Sequence, residues 1–434
     1  DKTTNANITL KPTEKFQTVY GFGSAITGST CYNLMQMSPA DRKNFLTQTF
    51  SETEGFGQNY VRVSIGCSDF SLSEYTLCDT KGIEHFALTQ EETKYVIPIL
   101  KEILAINPKV QIIGSPWTPP RWMKVNNLTD LQPYDHWTSG QLNPALYQDY
   151  ALYFAKWLQA MKDNGLNVNA ITIQNEPLNR GNSASMYMGW DEQLAFIKKA
   201  LGKTLRDKGF AEVKIYLFDH NYNYDNMPSQ QQYPLHIYKD TEASQYITGA
   251  AYHNYGGNPD ELNNIHNQYP NKELIFTESS IGTWNDGRNL ERRLTEDMQE
   301  LGIKTLNNHC KAVMVWNLML DEHGAPNREG GCKTCFGAVD IQTSDYKTMQ
   351  RNSHYYVISH LSAVIKQGAT RIGVEKTTDD NVQCTAFQNP DGSLACVLLN
   401  KKKEATHLTL STGKQYFSYE VPANSVVSFL IPKI

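Results

Sequence analysis

The sequence predicts a (β/α)8 barrel that carries a small β-sandwich built from both chain ends. Three observations predict it. Eight short apolar runs, rich in β-branched and aromatic residues, recur between residues 20 and 318. Helical patterns fill the gaps between them. Beyond about residue 360 the alternation stops and only strand patterns remain.

The strand candidates, in order, are "YGFGSAI" (20–26), "YVRVSIG" (60–66), "VQIIGS" (110–115), "AITIQN" (170–175), "VKIYLFD" (213–219), "ITGAAYH" (247–253), "ELIFTE" (273–278) and "AVMVWNL" (312–318). Helices are expected between them. "SPADRKNFLTQTF" opens with Ser38 as N-cap and Pro39 in the first turn. "LTQEETKYVIPILKEILAIN" opens on Thr89 ahead of two glutamates, and "NPALYQDYALYFAKWLQAMKDNG" closes on Gly165. "DEQLAFIKKALGKTLRDKG" and "NLERRLTEDMQELGIKTLNNH" follow the same logic, with a weaker helix over 259–269. An open doubly wound sheet is the rival, but it favours a Gly-rich phosphate loop after a strand, and none is present.

In the tail, "VQCTAFQNPDGSLACVLLN" is two strands around an NPDG turn, and further alternating strands follow. "ANITLKPTEKFQTV" at the other end also reads as strand and can pair with them. The expected division is residues 1–19 with the sandwich, 20–358 the barrel and 359–434 the rest of the sandwich.

Composition excludes several classes. The chain has 434 residues, 40% hydrophobic, with a formal charge of −5. No basic cluster stands out, so nucleic acid is not an expected partner. No apolar run approaches ~18 residues, so no transmembrane helix is expected. The polar start "DKTTNANITL" is not a signal peptide and reads as an end left by processing. Of eight cysteines, those in "CKTC" (332–335) lack a zinc partner pair and suit a local disulfide in an exported protein.

Barrel enzymes place their chemistry at the C-terminal ends of the strands. Glu176, in "QNEP", stands where the fourth strand ends, and Glu278, in "FTES", stands at the same height on the seventh. Two carboxyls facing over one cleft suit glycoside hydrolysis, at a separation of roughly 5–5.5 Å in a retaining enzyme. The acid should have a raised pKa and the nucleophile should be held ionised by donors. Arg62, inside an apolar strand, must pair with a carboxylate, Glu278 being one candidate; the pair could be structural or catalytic. Trp117 and Trp316 fall at the expected mouth, which favours sugar contact over plain packing. His220 and His253 stand alone on separate strands and read as hydrogen-bonded structural residues rather than metal ligands, although His253 ends its strand at the mouth beside Tyr255. No metal site and no cofactor are expected.

The motifs "GFGSAITG", "CSDFS", "SPWTPPRWMKVN", "QNEP", "FTES" and "WNLMLDEHGAPN" resemble glycoside hydrolase family 30, in order and over essentially the whole chain. The resemblance implies a retaining enzyme with Glu176 as acid/base and Glu278 as nucleophile. It implies Asn175 on the sugar 2-hydroxyl, and Arg62 and Tyr255 orienting the nucleophile. Asp69, Trp117 and Trp316 would read the remaining hydroxyls and the ring, with His253 and Asn327 completing the substrate-binding set. Two departures bear on substrate. "HNY" puts Asn254 where glucosylceramidases tend to have Trp, and "REGGCKTCFGAVDI" is more similar to the β-1,6-glucanases. The expected activity is therefore an endo-β-1,6-glucanase acting on β-glucan polysaccharide or oligosaccharide. A glucosylceramidase and a non-catalytic carbohydrate-binding barrel are the rivals. The protein is expected as a secreted, periplasmic or cell-surface monomer.

Overall fold

The computed structural model describes residues 5–433. Residues 1–4 and 434, the outermost parts of the two expected sandwich segments, lie outside the described residues. Eight parallel strands close into a barrel: Gly21–Ala25, Tyr60–Ser64, Gln111–Ser115, Ala170–Thr172, Lys214–Asn221, Gly249–His253, Glu273–Glu278 and Cys310–Asn317. They pair in chain order, and the eighth returns to the first. All eight expected runs supply one strand each. Their near-continuous apolar character follows from burial on both faces.

The helices start where their caps predict. Ser38 Oγ accepts from the Asp41 amide at 3.1 Å ahead of helix Pro39–Phe50. Glu92 accepts from the Thr89 amide at 2.8 Å and its hydroxyl at 2.6 Å. Three of the expected long helices contain a π-helical turn, at Glu91–Val96, Ile197–Leu201 and Met298–Ile303. Apolar spacing does not reveal these wider turns.

The N-terminal strand Ile8–Thr18 lies inside a seven-stranded sheet. It pairs antiparallel with Thr370–Lys376 and parallel with Thr406–Ser411. Val382–Gln388, Leu394–Asn400 and Ser425–Ile431 extend one side, and Tyr416–Val421 ends the other. Tyr419 and Phe429 from the two edge strands meet at 5.6 Å, so the sheet folds over an apolar core containing Ile8, Leu10, Ile372 and Leu398. Helix Ser353–Val364 runs across the expected 358/359 seam.

The floor of the barrel is closed. Tyr60, Ile113, Tyr216, Ile275 and Met314 fill it. One carboxylate sits there: Glu273 accepts from Tyr20 at 2.6 Å and Tyr216 at 2.8 Å, with Lys311 at 3.3 Å.

Candidate active site

The mouth of the barrel is built from strand ends that depart from regular pairing. Register shifts fall between Phe218 and His220, between Phe276 and Glu278, and between Val315 and Asn317. Phe218 and Asp219 have φ of 71° and 68°, and Glu176 has φ of 46°. Non-glycine residues in this region carry strain, and bulges re-aim side chains. The bulge in the fifth strand brings Asp219 into the same cluster as the neighbouring His220. Glu176 is pinned by its amide, which donates to Asp219 O at 3.0 Å, while the Asn175 amide donates to Pro116 O at 2.8 Å.

Arg62 is the hub. Fully buried, it donates to Glu278 Oε1 at 2.7 Å, to Asp219 Oδ2 at 2.9 Å and to Asn175 Oδ1 at 2.7 Å. Glu278 is the partner the sequence offered as a candidate, and Asp219 is a second. Tyr255 donates to the other Glu278 oxygen at 2.8 Å and is 42% exposed, so it borders the opening. Because Asn175 spends its carbonyl on Arg62, its amide protons remain to donate to a ligand.

Glu176 is held by a second set. Its Oε2 lies 3.0 Å from His253 Nδ1, and His253 Nε2 lies 2.7 Å from Asp219 Oδ1. Thr277 and Thr172 also donate to Asp219, at 2.6 and 2.7 Å. Asn179 and Asn182 donate to Glu176 Oε1 at 3.2 and 3.3 Å. His220 Nε2 lies 3.3 Å from Asp225 and 3.8 Å from Glu176, and its Nδ1 accepts from the Leu178 amide at 3.4 Å. Glu176, His253 and Glu278 each place one oxygen or nitrogen within 4.8 Å of the others. That trio has the span of a cation site, but both nitrogens of His253 already face carboxylates, which leaves no free lone pair for an ion.

The electrostatics reverse the expected order. Burial pushes Glu176 up, but His220 and the bond and charge of His253 outweigh it, and the carboxyl sits low, at about 2. Burial raises Glu278; His253 and Arg62 oppose that rise, Glu176 adds to it, and it stays above the usual range. Burial would discharge His253, but Asp219 and Glu278 outweigh it and the ring is pushed up to about 9. Burial and the two glutamates lift Asp69 to about 7 despite Arg328.

The remaining expected residues divide. Asp69 lies within reach of both glutamate charges. Trp117 and Trp316 are at the mouth, but their rings stack on each other at 5.3 Å with Arg62 beside them, and both are buried. The stack and the guanidinium therefore take up part of each ring. The Asn327 amide donates within its own loop, to Gly324 O at 3.3 Å. Beside it, Arg328 was not anticipated. It donates to Ser68 O at 2.6 Å, Ser183 O at 2.7 Å and Glu74 at 2.9 Å, tying three mouth loops together. A side chain on Gly331 would meet Asp69 O at 2.6 Å, so the loop after the eighth strand needs glycine to approach that closely. The expected local disulfide, Cys332–Cys335, closes this loop, and Cys335–Phe336 pairs with Ile281–Gly282 behind Glu278. Asp219 was also missed, although "LFDHN" puts three polar residues in an apolar strand, the same signal that marked Arg62.

A closed parallel barrel with two carboxyls converging at its C-terminal mouth defines the class: a glycoside hydrolase. The chain belongs to glycosyl hydrolase family 30. Residues 19–365 match that family's TIM-barrel domain and residues 368–429 its β-sandwich domain. An endo-1,6-beta-D-glucanase of Trichoderma harzianum, BGN16.3, is 32% identical over 440 residues, covering 96% of this chain and 85% of its own length. The lysosomal acid glucosylceramidase of Mus musculus is 28% identical over 452 residues, covering 98% and 83%. The solved structure of the endo-beta1,6-glucanase BT3312 superposes with a TM-score of 0.97 at 61% identity, covering 99% of this chain and 96% of that one.

Proposed function

We propose that this enzyme is a retaining endo-β-1,6-glucanase working by double displacement. The observation that carries the mechanism is the convergence of Glu176 and Glu278 within 4.8 Å, the short carboxyl separation that a covalent glycosyl intermediate requires. Glu278, steered by Arg62 and Tyr255, attacks the anomeric carbon while Glu176 protonates the departing oxygen. Glu176 then takes a proton from the water that releases the glucosyl group. Asn175, with its amide protons free, serves the 2-hydroxyl, and Asp69 a further hydroxyl. The β-1,6 preference rests on the likeness, over nearly the full chain, to two proteins named as endo-1,6-glucanases.

Work outside the cytoplasm is part of the same proposal. The Cys332–Cys335 disulfide suits an oxidising compartment, and no helix among the described residues is long and apolar enough to cross a membrane. Product analysis on β-1,6-glucan, with the anomer followed by proton NMR and glucosylceramide assayed alongside, tests the reading. Internal cleavage with an initial β-anomer is expected. An initial α-anomer eliminates the retaining mechanism, and turnover of the lipid alone replaces the substrate.

A further inference from the structure

We propose that Asp219 and His253 are a proton store for Glu176, holding on the imidazole the proton that Glu176 delivers to the leaving oxygen. The inference rests on the double displacement above. It begins from a conflict: the carboxyl expected to act as acid sits low, at about 2, and would be almost wholly ionised at neutral pH. The missing proton is one hydrogen bond away. His253 lies between two carboxylates, with Nδ1 3.0 Å from Glu176 Oε2 and Nε2 2.7 Å from Asp219 Oδ1, and all three side chains are buried.

The groups facing His253 set its charge. Asp219 and Glu176 contact it directly, and Glu278 adds negative charge. The rings of His220 and Tyr255 lie 6.4 and 6.3 Å away, and Arg62 acts through Asp219. Burial lowers His220 below the usual histidine range, against the pull of Glu176 and Asp225. In the resting site His253 carries both N–H groups. As an oxygen lone pair of Glu278 forms the bond to the anomeric carbon, the charge of Glu278 is consumed and the imidazolium loses support. The Nδ1 proton passes to Glu176 Oε2. The carboxyl proton of Glu176 goes to the glycosidic oxygen as the C–O electron pair leaves with it. His253 ends neutral, its remaining Nε2–H on Asp219. In the second half, water attacks the anomeric carbon and the electron pair of the C–O bond to Glu278 returns to that carboxylate. The water proton reaches Glu176 and then Nδ1, which restores the starting state. Attack at one carboxylate thus arms the other.

The test reads His253 directly, by 15N NMR of the histidine-labelled enzyme, with His253→Asn identifying the resonance. The free enzyme should show a midpoint near 9, and the enzyme trapped with a 2-deoxy-2-fluoro-glucoside a midpoint lower by about one unit or more, as expected when a neighbouring charge is removed. A Glu278 adduct with an unmoved midpoint, or a ring neutral at pH 7 in the free enzyme, overturns the store while leaving the nucleophile standing. Failure to form any adduct removes the two-carboxylate reading and the store with it. Kinetics give a second readout. His253→Asn should lose about 10²-fold on aryl glucosides with poor leaving groups and little on good ones. Asp219→Asn should move the basic limb of kcat/KM to lower pH. Equal losses on both substrates with the limb in place mark a merely structural role and overturn the proposal.

Discussion

Glu273 and Glu278 stand at opposite ends of one strand and lead different lives. Glu273, at the floor, is surrounded by neutral hydroxyls from Tyr20 and Tyr216, with Lys311 at its edge. Glu278, at the mouth, is bound by Arg62 and Tyr255 and feels a second carboxylate. Burial raises the carboxyl at the mouth above the usual range. At the floor the seventh strand shifts register against the eighth between Leu274 and Phe276. The mouth has bulges and left-handed backbone at Glu176, Phe218 and Asp219. Left-handed backbone at three residues of the mouth cluster aims side chains that must converge.

The largest effect should separate these two carboxylates. Glu278→Gln should lower turnover on the order of 10⁵-fold, the scale of losing a covalent nucleophile, with measurable sugar binding by calorimetry. Glu273→Gln should do the opposite. It weakens two hydrogen bonds to a charged group, about 2 kcal/mol in all, so Tm should fall by about 2 °C in a chain of this size while kcat holds. Wild-type turnover in Glu278→Gln, or a catalytic collapse in a well-folded Glu273→Gln, would erase the contrast.

Glu176→Ala should come next. General acid catalysis supplies roughly 10²- to 10⁴-fold, so hydrolysis of β-glucan should fall by that order. Formation of the glycosyl-enzyme from an activated aryl glucoside should hold, and added azide should speed its breakdown. A uniform loss across leaving groups, with no azide effect, would move the acid/base role away from position 176.

Much of this could be read from the chain. Burial on both faces leaves barrel strands as apolar runs, so each of the eight was visible, and the polar interruptions at Glu176 and Glu278 marked the mouth. Asp219 carried a polar signal in its strand, but its place in the cluster was hidden because alternation along a regular strand does not bring it together with His220. The bulge that does so depends on pairing with the sixth strand, which no local pattern encodes. Trp117 and Trp316 were legible as mouth residues but not as partners, since a stack between the third and eighth strand ends is a tertiary event. The inverted order of the two glutamates has the same origin: it is set by His220 and His253, which lie 44 and 77 residues beyond Glu176 in the chain.

The smallest expected effect is on stability against pH, and its sign follows from the mouth. His253 is raised from about 6.5 in an unfolded chain to about 9. Its contribution is therefore complete below about pH 6.5 and fades as pH climbs to about 9. Burial raises Asp69, Glu91 and Glu192 to about 7, so the folded state holds their protons more tightly and loses stability as pH rises toward that value. Glu176 works the other way. Its depressed carboxyl stabilises above about pH 4, and that contribution disappears as pH falls toward about 2. Thermal midpoints should therefore peak at a mildly acidic pH near ~5 and decline toward pH 9. His253→Asn should flatten the decline between pH 7 and 9 without moving the peak, because the three raised carboxyls remain. A midpoint that climbs from pH 5 to 9, or an identical slope in the variant, would mean that the charge on His253 is not coupled to folding.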